Sequence, residues 1–346
     1  HRFPVIMAVF TPEKILSEFI PYIQKIISNE EDEVLLAISE ELPHFKTYLD
    51  EKQMSAVLPL FQLLLGCEET VVRETTIEGL RKLVPSLTDE QVQKDLVPMV
   101  LNISNMEAFQ WKVSACYLIR ICYSKAGKEK ERLVNLFSKL CDDDTPIIKR
   151  TAAKEFGPLC LIVEKEFVKN EMLTYYKKFM GESDTVRVTI LPAIVELAKI
   201  FQDSEFQKIH IQNINNASVD KSWRVRNELA NLYPKFIDYF SNNSNIDLVQ
   251  PICTLIKDSE TEVKTSALKA LNAIIKKLPA DKVNSTIVPT IRGLSNESNK
   301  DTKANIGLSF GPIARIIGYS NFNSNLGVMM DSLMKDENAD VRLGIA

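Results

Sequence analysis

Residues 145–156 read TPIIKRTAAKEF, and segments of the same pattern recur along the chain. Each copy follows a short acidic stretch, carries an aliphatic residue next to a basic one, and continues with apolar residues at helical spacing. The clearest further copies are ETVVRETTIEGL (69–80), DTVRVTILPAI (184–194), KSWRVRNELANL (221–232), TEVKTSALKAL (261–271) and ADVRLGIA (339–346). Self-similarity at a fixed spacing is the sequence signature of a repeat protein.

One position in each copy, most often Val, serves as an anchor for measuring the period. The anchors, 37 to 39 residues apart, are Val34, Val72, Trp111, Ile148, Val186, Val225, Val263, Thr302 and Val341. Eight positions later come large apolar or aromatic residues, namely Leu42, Leu80, Ile119, Phe156, Ile194, Tyr233, Leu271 and Phe310. Since eight residues are about two helical turns, anchor and partner share one buried face. The pattern predicts helical hairpins, numbered here 1 to 9 by their anchors.

Each period has room for two helices and two short loops. The predicted first helices are 18–27, 54–65, 92–104, 130–140, 168–180, 205–216, 246–257, 283–295 and 324–335. The predicted second helices are 33–48, 71–84, 109–124, 146–163, 185–201, 222–238, 261–277, 300–317 and 339 onward. Such a hairpin cannot bury its own apolar faces, so hairpins stack on their neighbours. We therefore expect one all-α domain over residues 1–346, a right-handed α-solenoid cut within a repeat at both ends.

Composition argues against several classes of function. The net charge of −4 is unsuited to a nucleic-acid partner, and no apolar run reaches the roughly 18 residues of a membrane span. Three His and eleven Gly in 346 residues leave little material for a metal site, a His-based triad or a phosphate loop. We expect no catalysis, cofactor, metal or small-molecule substrate. Six Cys without a C-x-x-C pair are typical of a reducing compartment, so we expect the cytoplasm, with the nucleus as a second location.

The repeat resembles the HEAT repeat, a two-helix unit with an Asp five residues before a Val-Arg pair. That Asp stands here as Asp143, Asp220, Asp258 and Asp336. The stretches 32–42, 68–83, 141–157 and 220–236 also resemble the scaffold (A, 65-kDa regulatory) subunit family of protein phosphatase 2A, and this likeness fades after about residue 275. The resemblance implies a non-catalytic scaffold with about nine HEAT repeats present. Its intra-repeat loops would hold a regulatory (B-type) subunit, and repeats beyond this fragment would hold the catalytic subunit.

Trp223, flanked by Ser222 and Arg224, is the first candidate for partner binding. It precedes anchor Val225, at the mouth of a second helix, where a side chain has no core to fill. A Trp next to an Arg is typical of interface hot spots, and in the resembled family this position meets regulatory subunits. The alternative is a Trp folded back on its own hairpin. Trp111, by contrast, occupies an anchor position, which favours core packing.

The second candidate lies two repeats earlier in the chain. It comprises Asp143, Asp144 and Pro146 with the basic pair Lys149 and Arg150. Acids before a helix and Pro in its first turn are ordinary N-terminal chemistry. One basic residue could pair with these acids, which leaves the other to reach a carboxylate of a partner.

A third candidate is an acidic stripe on the first two hairpins. It comprises Glu30, Glu31, Glu68 and Glu69, which would attract a basic partner surface, although acids at helix N-termini are also ordinary. Phe109 belongs with these residues by position. Ala108 stands where the resembled family usually has Trp.

Two other functions remain open at this stage. Another HEAT adapter, such as an importin-β-like nuclear transport receptor, would share the fold but typically has less regular repeats. An enzyme on a helical solenoid would need a convergent polar pocket, for which the sequence offers few residues.

Overall fold

The structure is a computed structural model that describes residues 3–240 and 247–345. Within those ranges the chain forms helices joined by short turns, and no strand is present. The helices group into two compact units, His1–Phe179 (unit 1) and Met180–Ala346 (unit 2). The predicted all-α class is confirmed. The predicted domain includes residues 1, 2, 241–246 and 346, and two predicted helices include residues 246 and 346; these residues lie outside the described ranges.

Unit 1 contains hairpins 1 to 4 and nearly all of the first helix of hairpin 5. A short helix, Phe3–Met7, precedes them. The first helices comprise the segments Pro12–Lys14, Ile15–Phe19 and Ile20–Ile27; Glu51–Val57 and Leu58–Leu64; Asp89–Gln91, Val92–Leu96 and Val97–Ile103; Gly127–Glu129 and Lys130–Cys141; and Lys165–Phe167, Val168–Met172 and Leu173–Met180. The second helices are Asp32–Glu41 with Leu42–Thr47, Thr70–Leu83 with Val84–Ser86, Phe109–Tyr123, and Pro146–Cys160.

Unit 2 contains the second helix of hairpin 5 and hairpins 6 to 9. The former is divided into Asp184–Ile190 and Ala193–Ile200, because Pro192 cannot donate a backbone hydrogen bond. The first helices are Ser204–Ser218; Val249–Ile256; Ala280–Lys282, Val283–Ile287 and Val288–Arg292; and Tyr319–Met334. The second helices are Trp223–Phe240, Thr261–Ile274 with Ile275–Lys277, Lys300–Ile317 and Ala339–Leu343.

Three of the first helices that begin three to six residues earlier than predicted continue through a prolyl turn, namely those that start at Pro12, Asp89 and Ala280. Pro21, Pro98 and Pro289 each follow a five-residue π-helical segment, Ile15–Phe19, Val92–Leu96 and Val283–Ile287 respectively. A prolyl ring inside an α-helix collides with the carbonyl one turn earlier and removes one hydrogen bond. The wider π turn accommodates this disruption without ending the helix.

The predicted core positions are buried with two exceptions. The residues eight positions after the anchors are all at most 3% exposed. Val34, however, is 38% exposed, whereas Leu35 is buried, so Leu35 is the anchor of hairpin 1 and its spacing to Val72 is still within the period. Trp111 is only half-buried, and its ring lies directly against Gly66, in space that a Cβ atom there would need.

Candidate functional site

The turns inside hairpins 1 to 4 lie side by side along one edge of unit 1. Each turn leads into a second helix, and the second helices pack consecutively against one another. The turn residues are 28–31, 65–69, 104–108 and 142–145; we call them, together with the first two turns of the helices that follow, the turn edge. Many side chains here are exposed, so their chemistry is available to a partner.

Four acidic candidates lie on the first half of the turn edge. Glu30, Glu31, Glu68 and Glu69 are all exposed. The Glu69 carboxylate also accepts a hydrogen bond from the Val71 amide at 3.3 Å, which caps the helix Thr70–Leu83. The four predicted acids are therefore accessible, and one of them also stabilises a helix.

Phe109 is the aromatic member of the turn edge. It is the first residue of the helix Phe109–Tyr123, and 41% of its side chain is exposed. Met106, in the turn just before it, is also exposed. Sequence reasoning did not select Met106, although this position carries an acid in several other hairpins. The two side chains form an apolar point beside the acidic stripe.

The group at hairpin 4 divides into internal and outward-facing side chains. Asp143 Oδ2 accepts a hydrogen bond from Lys112 Nζ of hairpin 3 at 2.8 Å, and Oδ1 accepts one from the Thr145 amide at 2.8 Å. Burial raises the pKa of Asp143, but the bonds from Lys112 and Thr145 outweigh it and leave the pKa below its usual value. Asp143 therefore fixes the turn and joins two hairpins.

The remaining residues of this group differ in accessibility. Asp144, Pro146 and Arg150 are exposed, and Lys149 is half-buried. Pro146 opens the helix Pro146–Cys160, as expected of a prolyl residue in a first turn. Within the described part of the chain, the Arg150 guanidinium has no ion-pair partner. Arg150 is thus the cation of this group that is available to an external carboxylate.

Trp223 lies in the corresponding turn of unit 2, at hairpin 6. It opens the helix Trp223–Phe240 with 38% of its side chain exposed, and the guanidinium of Arg224 lies 5.5 Å from its ring centroid. Arg224 also pairs with Asp184 at 3.2 Å, and the Ser222 hydroxyl donates to the same carboxylate at 3.1 Å. The Ser222 hydrogen bond, followed by that of Arg224, lowers the pKa of Asp184. The indole of Trp223 is therefore partly exposed, and its ion pair with Asp184 holds the guanidinium of Arg224 next to the ring.

Ion pairs between neighbouring hairpins fix the geometry of most turns. The basic residue after one anchor bonds the acid that precedes the next anchor by five positions. These inter-hairpin ion pairs, with N–O distances of 2.6–2.8 Å, are Lys112–Asp143, Arg187–Asp220, Arg226–Asp258, Lys264–Glu297 and Lys303–Asp336. Each of these acids also accepts a backbone N–H two residues later, at 2.8–2.9 Å. The same carboxylate therefore shapes a turn and ties it to the preceding hairpin.

The described residues show little that is suited to catalysis. They contain no cluster of three His, Cys, Asp or Glu side chains that could hold a metal ion. Five of the six Cys are buried, and burial raises the pKa of the Cys122 thiol to about 12, far above that of a reactive thiolate. His44 is exposed, and His210 is buried with neither ring nitrogen hydrogen-bonded. Across residues 3–240 and 247–345, every helix is too short or too polar to cross a bilayer.

Comparison with curated proteins finds relatives among the regulatory and scaffold A subunits of protein phosphatase 2A. No protein-family model matches the chain. The chain is 28% identical over 259 residues, 69% of its length, to a regulatory (A-type) subunit of protein phosphatase PP2A from Saccharomyces cerevisiae. It is 36% identical over 167 residues to the Dictyostelium discoideum protein phosphatase 2A scaffold subunit. It is 29% identical over 344 residues, 96% of its length, to the beta isoform of the human phosphatase 2A 65 kDa regulatory subunit.

These relatives are considerably longer than the chain. It covers 40% of the yeast protein, 29% of the Dictyostelium protein and 57% of the human protein. The resemblance to phosphatase 2A scaffold subunits that the repeat motifs predict is thereby confirmed. The relatives' names describe regulatory or scaffold subunits, not catalytic ones.

Two solved structures with a similar fold contain the nuclear import protein Kap95p. The chain superposes with a TM-score of 0.70 on Kap95p from a complex with RanGDP, at 10% identity, covering 97% of the chain and 48% of that protein. For the Kap95:Nup1 complex the TM-score is 0.71 at 12% identity, covering 99% and 49% respectively. At such identities the likeness supports the solenoid fold alone.

Proposed function

We propose that this chain is part of a non-catalytic scaffold subunit of protein phosphatase 2A and that its hairpin turns hold a regulatory (B-type) subunit. The observation that carries the proposal is the sequence similarity to phosphatase 2A scaffold subunits, which in the human relative extends over 96% of the chain. Nuclear transport receptors share the fold at 10–12% identity, which lends no support to a transport function.

The side chains of the turns suit a protein partner. In unit 1 they offer exposed carboxylates, the apolar point of Met106 and Phe109, and the exposed guanidinium of Arg150. In unit 2 they offer the indole of Trp223 with Arg224 held against it. Aromatic and Arg side chains that are prepositioned and partly exposed are typical of interface hot spots, because little conformational entropy is lost when a partner covers them.

The proposal also divides the partners along the protein. This chain binds the regulatory subunit, whereas the catalytic subunit binds repeats that lie outside it. The greater length of the relatives is consistent with this division. The chain itself is proposed to catalyse no reaction and to act in the cytoplasm and the nucleus.

The test is a binding titration with purified phosphatase 2A regulatory and catalytic subunits. The chain should bind a regulatory subunit but not the catalytic subunit. Trp223→Ala and Arg150→Glu should each weaken regulatory-subunit binding by about 2 kcal/mol, roughly thirtyfold, as expected for hot-spot residues.

Two matched controls separate local from general effects. Tyr319→Ala removes an aromatic ring that is 73% exposed at the start of a first helix, away from the turns. Arg315→Glu reverses an exposed charge in the last turn of a second helix, at the end remote from its hairpin turn. Both controls should bind normally. Unchanged binding by Trp223→Ala and Arg150→Glu would refute the assigned residues, and capture of a small GTPase in place of every phosphatase subunit would favour a transport receptor.

A further inference from the structure

A cleft of about 450 Å³ separates the first helices of hairpins 3 and 4 in unit 1. Its two sides are the helices Val97–Ile103 and Lys130–Cys141, and its end lies against the Lys112–Asp143 ion pair. The cleft thus lies next to the turn edge but on the side of the first helices. Of the candidate residues for partner binding, Asp143 alone lines the cleft.

The charge in the cleft is predominantly positive. Lys112, Arg132 and Lys139 line it together with a single carboxylate, Asp143. Asp143 bonds Lys112, and Arg132 bonds Glu129 at 2.7 Å, so two of the three cations have an acidic partner. Lys139 is exposed and, among the described residues, has no such partner.

The lysine side chains of the cleft have hydrogen-bond donors to offer. An ammonium group has three N–H donors. Lys112 uses one of them on Asp143, whereas those of Lys139 have no partner in the described part of the chain. Asn135 is exposed at the same wall and adds an amide donor. The remaining lining is largely aliphatic, with Leu136 and Leu140 buried behind the polar groups.

We propose that this cleft binds an extended acidic segment of a partner protein, whose Asp or Glu carboxylates accept hydrogen bonds from Lys139, Lys112 and Asn135. Complementary charge is the feature by which such a surface selects its partner. The lining contains no aromatic side chain on which a nucleobase could stack, and it is too polar for an apolar small molecule. The proposal does not depend on the identity of the partner at the turns.

The test uses the full chain and a defined probe, a fluorescein-labelled (Glu-Gly)4 peptide followed by fluorescence anisotropy at low salt. The neutral (Gln-Gly)4 peptide is the control for backbone contacts. Lys139→Glu replaces an attraction by a repulsion and should weaken (Glu-Gly)4 binding about tenfold. Asn135→Asp, which is nearly isosteric and adds one negative charge at the same wall, should weaken it severalfold.

Lys128→Glu is the matched control, since Lys128 is an exposed lysine of the same hairpin that does not line the cleft. It should change the affinity less than twofold. Equal losses of (Glu-Gly)4 affinity in Lys128→Glu and Lys139→Glu would overturn the proposal. They would indicate that the peptide responds to the overall charge of the hairpin and not to the cleft. Absence of (Glu-Gly)4 binding, or equally tight binding of (Gln-Gly)4 or of an oligouridylate of the same length, would overturn it as well.

Discussion

Removing Arg187 should destabilise unit 2 more than removing Lys303, whose inter-hairpin ion pair is more exposed at both side chains. Arg187 contacts both oxygens of Asp220, at 2.8 and 2.9 Å, and also donates to the Glu182 carbonyl at 2.6 Å. Both side chains are nearly inaccessible, with 5% and 12% exposed. In Arg187→Met the aliphatic volume is retained, but the Asp220 carboxylate loses its cation in a site that water reaches poorly.

The expected loss follows from that burial. Breaking a buried ion pair by removing one partner costs about 3–5 kcal/mol, because an uncompensated charge is left behind. Asp220 keeps one bond, from the Ser222 amide at 2.8 Å, which favours the lower end, about 3 kcal/mol. The matched control is Lys303→Met, which breaks a single contact to Asp336 between side chains that are 25% and 16% exposed. Water can solvate the Asp336 carboxylate there, so the loss should be about 1 kcal/mol.

Urea unfolding followed by Trp fluorescence measures this difference. The chain has two Trp residues, and in a Trp111→Phe background the remaining Trp223 lies three residues after Asp220 and reports on hairpin 6. Circular dichroism on the same samples follows all helices. Because hairpins interact with their nearest neighbours, the two signals need not coincide, and their separation identifies local unfolding.

A second substitution distinguishes an unpaired charge from lost packing. Arg187→Met combined with Asp220→Asn removes the charge but keeps an acceptor for the Ser222 amide, so about 1 kcal/mol of stability should return. If Arg187→Met costs no more than Lys303→Met, or if the double variant is less stable than Arg187→Met, the reasoning from buried charge is refuted.

Two further predictions concern the cores of the units. Burial lowers the pKa of His210 from its usual 6.5 to about 4, and Asp203 opposes this with a smaller effect. As the pH falls, the unfolded chain therefore binds a proton at this residue before the folded chain does. The free energy of unfolding should fall as the pH drops below about 6.5, by about 1 kcal/mol at pH 5.5. Urea titrations at several pH values should show a shallower decline for His210→Met, and an identical decline would contradict the assignment. Gly66→Ala should cost about 1–3 kcal/mol through collision with the Trp111 ring; in thermal melts, Gly66→Ala/Trp111→Leu should lose less than the two single changes combined.

Much of the fold could be predicted because the repeat places equivalent side chains in equivalent environments. The anchors and the residues eight positions after them identify the buried faces of the helices. Val34 and Trp111 are the exceptions, because Val34 is exposed and Trp111 is half-buried. At hairpin 1, adjacent Val34 and Leu35 both fit the period, and burial of Leu35 distinguishes them. The early starts of helices at Pro12 and Asp89 were missed because a prolyl residue ordinarily belongs to a first turn. The π segments, which let a helix continue past a proline, have no comparable signature in the sequence.

The candidate site was predictable as a set of positions, but the pairing within it was not. The sequence places Asp143 near Lys149 and Arg150, whereas in three dimensions its partner is Lys112, 31 residues earlier. The signal was present, since a basic residue and an acid 31–33 positions later recur at five hairpin junctions. Recognising it requires knowing that second helices stack in parallel order. The cleft between the first helices involves residues without any repeat signature, which is why the sequence did not reveal it.

The double role of the acids links the stability of a hairpin junction to the geometry of its turn. Asp220 bonds Arg187 of the preceding hairpin and the Ser222 amide of its own turn, directly before Trp223. A change in how the two hairpins pack must therefore alter the start of the helix that carries the indole. At hairpin 3 the equivalent acid is replaced by the exposed Met106, and Arg73 of hairpin 2 bonds the carbonyls of Cys67 and Glu68 in its own turn. Arg73 is thus engaged within hairpin 2 and, among the described residues, forms no ion pair with the turn of hairpin 3. The turn that leads to Phe109 should therefore depend less on such an ion pair than the turn that leads to Trp223.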